Sequence, residues 1–384
     1  MIDFSKYNAI IVGCGLTGGV VARHLAENGK RVLILERREH IGGNMYDYVD
    51  EHNFLVQKYG PHTFHTKKKE LYDYMCRFEE WEEYKLTCGA FFDGKCTPTP
   101  FNFQTIDDFY SEAEAEELKS HIKSAFCDRV TATVVEVMAH PDPLISGYAK
   151  FLFEKDYSLY TAKQWGVSPS EIDVSVLNRV PLRFSYDVGY FDDDFQVMPK
   201  HSFTDFFRNL LNHENIYVEL GVNALDYIKI VSGKIYIGDA LLDIPVVYTG
   251  EVDELFEFQF GKLPYRSLRF EWKYEDKDSI QDMPVVAYPQ ADGFTRITEY
   301  KKIPVQNIKG SVYAIEYPLC YESNNNAEPY YPVLTEKSQK QFAEYCALAD
   351  SVKGLYLCGR LGDFKYYNMD QALARALEIS LKIQ

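Results

Sequence analysis

The first 36 residues constrain the fold more than any other part of the chain. Tyr7-Asn-Ala-Ile-Ile-Val12 is a short apolar run of the kind that forms a buried parallel strand. Gly13-Cys-Gly15-Leu-Thr-Gly18-Gly19 follows at once, and residues 20–28 carry a helical pattern through Val20, Val21 and Leu25, stopped by Gly29. Arg31-Val-Leu-Ile-Leu35 is a second buried strand, ending at Glu36, 18 positions after Gly18. A lone Gly-x-Gly-x-x-Gly is weak evidence, but between a strand and a helix, with an acid closing the next strand, it predicts a dinucleotide-binding β-α-β unit. Gly13 permits the tight turn, Gly15 lets backbone approach a pyrophosphate, and Gly18 lets helix and sheet pack closely. The helix N-terminus offers free N–H groups to phosphate, and Glu36 is placed to bind a ribose 2′-hydroxyl. Arg37 and Arg38 keep a 2′-phosphate open.

The rest of the chain supplies further lobes. Residues 107–127, 137–155 and 201–212 have helical patterns, and Glu112, Glu114, Glu116 and Glu117 read as a solvated helix face. Between 216 and 318 strands dominate, among them 246–248, 266–272, 285–288 and 311–315. A helix over 336–349, a strand over 355–358 and a last helix from about 370 return to the first lobe. The nucleotide-binding sheet is therefore expected to receive strands from both ends of the sequence.

Composition excludes several functions. With 41 Lys plus Arg against 57 Asp plus Glu, the net charge is −16, which opposes nucleic-acid binding. The longest stretch free of charged residues, Tyr7–Ala22, is 16 residues long and holds four glycines, so no membrane span is expected. Nor does the N-terminus read as a signal peptide. The eight cysteines form no Cys-x-x-Cys pair and read as reduced thiols of a cytoplasmic protein. His62 and His65 lack companions at metal-ligand spacing, so no metal site is expected. No Ser-His-Asp, Cys-His or paired-carboxylate motif with distinctive spacing stands out.

Gly42-Gly43-Asn44 and the late strand followed by Gly359-Arg-Leu-Gly362 resemble the two-motif flavoproteins and favour FAD over NAD. Longer motifs carry a closer resemblance: Tyr59-Gly-Pro-His-Thr-Phe-His65-Thr, Tyr160-Thr-Ala-Lys-Gln-Trp165-Gly, Arg179-Val-Pro, Gly189-Tyr-Phe, Thr295-Arg-Ile-Thr-Glu299 and Pro329-Tyr-Tyr-Pro332. In this order, across nearly the whole chain, they resemble the bacterial UDP-galactopyranose mutases. The resemblance implies an α/β fold. A Rossmann-type FAD-binding domain (1–85, 201–260 and 333–384) carries an inserted helical bundle (104–160). A twisted antiparallel β-sheet domain (86–103, 161–200 and 261–332) has a mobile loop near 163–180. It implies a homodimeric isomerase that interconverts the pyranose and furanose forms of a nucleotide sugar. Reduced flavin N5 would attack the anomeric carbon without net redox.

It also implies roles for residues. Arg179 and Arg296 would clamp the substrate diphosphate, and His65 would belong to a loop along the isoalloxazine. Tyr160 and Trp165 would lie at the uridine end, with Tyr190, Tyr331 and Tyr366 near the diphosphate and sugar, and Glu316 and Arg360 beside sugar and flavin. Gly13, Gly15, Thr17, Gly18, Glu36, Arg37, Gly43, Asn44, Gly60, His62, Val222, Gly250, Gly359, Arg360, Asn368 and Met369 would hold the cofactor. Two positions depart from the family pattern. Asn368 stands where Asp is usual, and Leu86 aligns with an Asn expected near the sugar. Loss of a polar group there favours a less polar sugar, so a dTDP- or UDP-linked 6-deoxyhexose is kept beside UDP-galactose. An amine-oxidase-type FAD oxidoreductase and a non-catalytic flavin or nucleotide-sugar sensor are the readings from other classes.

Overall fold

The computed structural model describes residues 2–165, 181–321 and 327–383, and the side chain of Trp165 lies outside that description. Arg179, the expected clamp, also lies outside the described residues.

The opening motif folds as a parallel sheet. Ala9–Val12 pairs with Val32–Glu36 on one side and Val246–Tyr248 on the other; Ile216–Leu220 and Leu355–Leu357 extend the two edges. All four pairings are parallel, so strands from the beginning, middle and end of the chain meet in one sheet. The central strands are apolar up to the terminal Glu36 and almost wholly buried, as a sheet covered by helices requires. Leu16–Glu27, starting directly after Gly15, covers one face together with Phe203–Leu211 and Met369–Ser380.

A seven-stranded sheet forms the second lobe. Its order is Tyr331–Pro332, Tyr265–Glu275, Ser311–Cys320, Arg296–Glu299, Val285–Ala287, Cys88–Phe92 and Lys95–Thr99. The sheet is antiparallel, as expected, except at one pairing: Val285–Ala287 runs parallel to Cys88–Phe92. Almost two hundred residues separate those strands, so no hairpin constrains their direction.

Helices form the third lobe. Phe103–Phe109 is capped by the Asn102 side chain, which accepts the Gln104 N–H at 2.9 Å. Glu112–Phe126 begins at Ser111, whose N–H and hydroxyl both donate to Glu114. One of the clustered glutamates thus caps its own helix, while Glu112, Glu116 and Glu117 are exposed. Asp142 caps Pro143–Leu152, and the helix runs on without a break to Trp165, one turn over Phe153–Tyr157 being widened to π geometry. The sequence pattern stopped this helix ten residues early because the stretch 154–164 is mostly polar. Tyr160 therefore stands on a helix that reaches from the bundle to the large sheet.

Candidate active site

Two clefts meet between the parallel sheet and the large sheet. The first, about 1200 Å³ including its open mouth, begins at the glycine turn. Every residue expected to hold the cofactor lines it, except Gly60. Steric facts explain the glycines. A Cβ on Gly18 would lie 2.0 Å from the Gly13 carbonyl oxygen, one on Gly13 (φ +100°) would lie 2.1 Å from Thr249 Oγ1, and one on Gly43 would lie 2.9 Å from the Cα of Gly15. The cradle is therefore closed to any side chain and open to a phosphate. Glu36, 5% exposed, accepts the Cys14 N–H at 2.7 Å and the Arg38 N–H at 2.9 Å, one on each oxygen. Each oxygen keeps a lone pair for a ribose hydroxyl.

The arginines after Glu36 are already engaged. Arg37 pairs with Glu251 at 3.2 Å and Glu254 at 3.5 Å, and Arg38 pairs with Glu328 at 2.6 Å. A 2′-phosphate would have to displace these carboxylates, so the arrangement favours a plain ribose. At the far end of the cleft, Asn368 and Met369 start the helix Met369–Ser380, and the Asn368 N–H donates to Gln371 at 3.0 Å. The positive end of that helix faces the cleft, as a flavin pyrimidine would require.

His62 lies deep in the same cleft. Its Nδ1 is 2.8 Å from the Gly60 carbonyl, which can only accept, so Nδ1 carries the proton and Nε2 of the neutral ring is an acceptor. Burial, opposed by that hydrogen bond and reinforced by the charges of Arg360 and Arg296, pushes its pKa down to about 4. His62 thus remains neutral between two arginines. Its backbone is clamped by Gln57, which accepts the His62 N–H and donates to its carbonyl.

The second cleft, about 780 Å³, is lined by Arg296, Glu316, Tyr331 and Tyr366 among others. Arg296 and Glu316 are register partners on neighbouring antiparallel strands. Tyr331 and Tyr366 stack at 5.0 Å, and the Arg360 guanidinium lies 4.7 Å and 5.5 Å from their ring centres. Arg360 also lines the first cleft, so it forms a wall between the two. Tyr160 and Tyr190 stand beside this group. Burial raises both hydroxyls above the usual range, and the Arg296 charge acts on each in the opposite direction. Gly60 belongs on this side: a Cβ there would touch Phe270 at 3.4 Å and approach Glu316 at 3.9 Å.

Tyr160, Tyr190, His65 and Leu86 line neither cleft, and the last two make other contacts. His65 is on the strand Phe64–Thr66, not on a loop. Its Nδ1 lies 2.8 Å from Asp193, its ring stacks on Phe191 at 3.6 Å, and it lines neither cleft. Strand alternation sends Phe64 and Thr66 to the core and His65 to the opposite face; His62, before the strand, takes the cofactor side. Leu86 is 8% exposed in the main hydrophobic core, and its carbonyl accepts the Tyr190 N–H at 2.7 Å. It lines neither of these two clefts.

Sequence reasoning missed Gln164, Arg266 and Thr295 in the second cleft. Gln164 and Thr295 lie inside the motifs that begin at Tyr160 and Thr295, whereas Arg266 carries no signal beyond its place on a strand. Among the described residues no cluster of possible metal ligands occurs and no helix is long and apolar enough to cross a membrane.

A Rossmann cradle joined to an arginine-tyrosine pocket defines a flavoprotein that handles a second phosphorylated ligand. Residues 155–366, more than half of the chain, match the family model for UDP-galactopyranose mutase, and residues 11–78 match an NAD(P)-binding Rossmann-like domain. UDP-galactopyranose mutase of Mycoplasma genitalium is 34% identical over 98% of this chain and 95% of its own length. dTDP-fucopyranose mutase of Escherichia coli is 32% identical over 96% of each chain. A crystal structure of reduced UDP-galactopyranose mutase superposes with TM-score 0.71 at 16% identity, covering 99% of this chain and 93% of that one, which shows the shared fold. The chain belongs to the UDP-galactopyranose mutase family. It is a flavin-dependent nucleotide-sugar mutase, hence an isomerase, with FAD as its cofactor.

Proposed function

We propose that this enzyme interconverts UDP-galactopyranose and UDP-galactofuranose with its flavin reduced. The observation that carries the reading is the shared wall. His62 and Arg360 face the cofactor cleft, while Arg360 backs the stacked Tyr331 and Tyr366 of a pocket that also holds Arg296. A sugar in that pocket would have its phosphates on Arg296 and its ring toward the cofactor.

When bound and reduced, the flavin supplies a nucleophilic nitrogen, and the net reaction leaves its redox state unchanged. The chain positions and excludes water. Arg296 offers a guanidinium fork to the diphosphate, and Arg179, by its motif, is assigned the opposite side. Tyr160, Tyr190, Tyr331 and Tyr366 offer neutral donors, which suit phosphate oxygens without adding charge. Glu316 holds Arg296 in place, and His62 offers Nε2 as an acceptor. Trp165 is assigned to the base by its motif, and Asn368 to the flavin end.

A 6-deoxyhexose nucleotide is the second reading. It is favoured by the apolar stretch of the second cleft, where Leu268, Pro318, Leu319, Pro332 and Leu334 line the wall. Turnover of UDP-galactofuranose and of a dTDP-6-deoxyhexofuranose, side by side with dithionite-reduced enzyme, separates the two. Faster turnover of the deoxy sugar would overturn the galactose assignment. The family resemblance supports a homodimer, which light scattering tests against the 44.5 kDa chain mass. Eight free thiols support a reducing, cytoplasmic compartment, which cell fractionation tests.

A further inference from the structure

Arg38 was expected only as a possible reader of a 2′-phosphate. Its geometry gives it another task. Nη1 and Nη2 each donate to Asn44 Oδ1 at 3.0 Å, and Nη2 also donates to Glu328 at 2.6 Å. The guanidinium lies 4.4 Å from the centre of the Tyr59 ring, whose hydroxyl is 2.7 Å from His40 Nε2. Only 14% of the Arg38 side chain is exposed. One buried cation therefore touches three separate segments: the Gly42–Asn44 turn, the Tyr59–His62 loop and the start of the 328–332 stretch.

Each contact has a consequence. An amide oxygen that accepts two charged N–H groups is fully used, so Asn44 is left with its NH2 as the group available to the cofactor. Asn44 follows Gly43, which packs against Gly15, so this donor sits beside the phosphate cradle. Glu328 precedes Pro329 and Tyr330, which line the first cleft, and Tyr331, which lines the second. Burial works to raise the Glu328 carboxyl, and Arg38 overcomes it and holds it below the usual range.

We propose that Arg38 is a positioning residue that couples cofactor binding to the substrate pocket: through Asn44 it fixes a donor for the flavin diphosphate, and through Glu328 it holds the strand carrying Tyr331. The coupling rests on the nucleotide-sugar reading above, whereas the Asn44 half stands on cofactor binding alone.

Three variants test it: Arg38→Lys, Glu328→Gln and the double substitution. FAD affinity is read by fluorescence titration of apoprotein, and KM by turnover of the nucleotide sugar that the wild-type enzyme accepts. Lysine cannot reach Asn44 and Glu328 with a planar fork, so Arg38→Lys weakens FAD binding about tenfold and raises KM. Glu328→Gln leaves the Asn44 contact intact, so FAD affinity stays within about twofold while KM rises about fivefold. In the double variant KM rises no further than in Arg38→Lys, because both changes cut one tether. Unchanged FAD affinity in Arg38→Lys, unchanged KM in Glu328→Gln, or multiplying effects on KM would each overturn the proposal. A wild-type enzyme inactive on every nucleotide sugar would instead sink the functional reading and leave the FAD arm to decide the role at Asn44.

Discussion

Arg296 and Glu316 face each other across adjacent strands, and Arg296 Nε and Nη2 both lie 2.8 Å from the same oxygen, Glu316 Oε2. Glu316 is 4% exposed, so the pair is held in one geometry by the sheet beneath it. The remaining N–H groups of Arg296 are left for a diphosphate. Arg296→Lys keeps the charge but loses the fork, and kcat/KM should fall about a hundredfold. The flavin absorbance should be unchanged, because the cofactor cradle is built elsewhere. Loss of flavin along with activity would show that the two clefts are not separable in this way.

The glycine cradle makes a sharper contrast. Gly18→Ala would place a methyl 2.0 Å from the Gly13 carbonyl, so the turn must open. The variant should purify without yellow colour and need at least about a hundredfold more FAD to load. Gly147 is the control: it lies inside the helix Pro143–Leu152 with nothing within 4 Å of an added Cβ. Gly147→Ala should stabilise the protein by about 0.5–1 kcal/mol and leave flavin loading alone.

Lys163 anchors the substrate helix. Its ammonium donates to the carbonyls of Tyr288, Ala291 and Phe294 at 2.6, 2.7 and 2.9 Å, so all three N–H groups are used. This ties the helix of Tyr160 and Gln164 to the turn that leads into Arg296. Lys163→Met leaves three carbonyls without that donor and should raise substrate KM about tenfold at constant FAD affinity. An unchanged KM would mean that the anchor has no bearing on the pocket.

Asp156 links the fold to pH. Burial, partly offset by Lys163, raises its pKa to about 7, well above the 3.8 of an exposed aspartate. Between those values the folded protein holds a proton that the unfolded chain releases. Stability contributed by this group is therefore full below about pH 4 and lost as pH rises through 7. Asp156→Asn should stabilise the protein at pH 8 by on the order of 2–4 kcal/mol, with the gain fading toward pH 4. Denaturant unfolding at pH 5 and pH 8 measures this; a gain equal at both values would refute the raised carboxyl.

How much of this was legible in the sequence depends on distance along the chain. The cradle could be read because its glycines, strand and helix are consecutive, and each glycine answers a local steric need. Arg296 and Glu316 could be named only through motif resemblance; their pairing needs a register between strands twenty residues apart. The triple-carbonyl seat of Lys163 had no signal at all, because backbone atoms far along the chain supply it. His65 was misplaced because two histidines in one motif look alike until the strand at Phe64 assigns them to opposite faces. Leu86 was named through motif resemblance alone; that it packs into the core, with its carbonyl on the Tyr190 N–H, needs contacts between segments a hundred residues apart.

A reduced flavin in this enzyme is expected to isomerise a nucleotide sugar without consuming electrons. Dithionite-reduced enzyme, incubated anaerobically with UDP-galactofuranose and then analysed by chromatography, should give UDP-galactopyranose over many turnovers per flavin, and oxidised enzyme should give none. Failure of the reduced enzyme on every UDP- and dTDP-hexose offered, or product formed only in step with an electron acceptor, would contradict it.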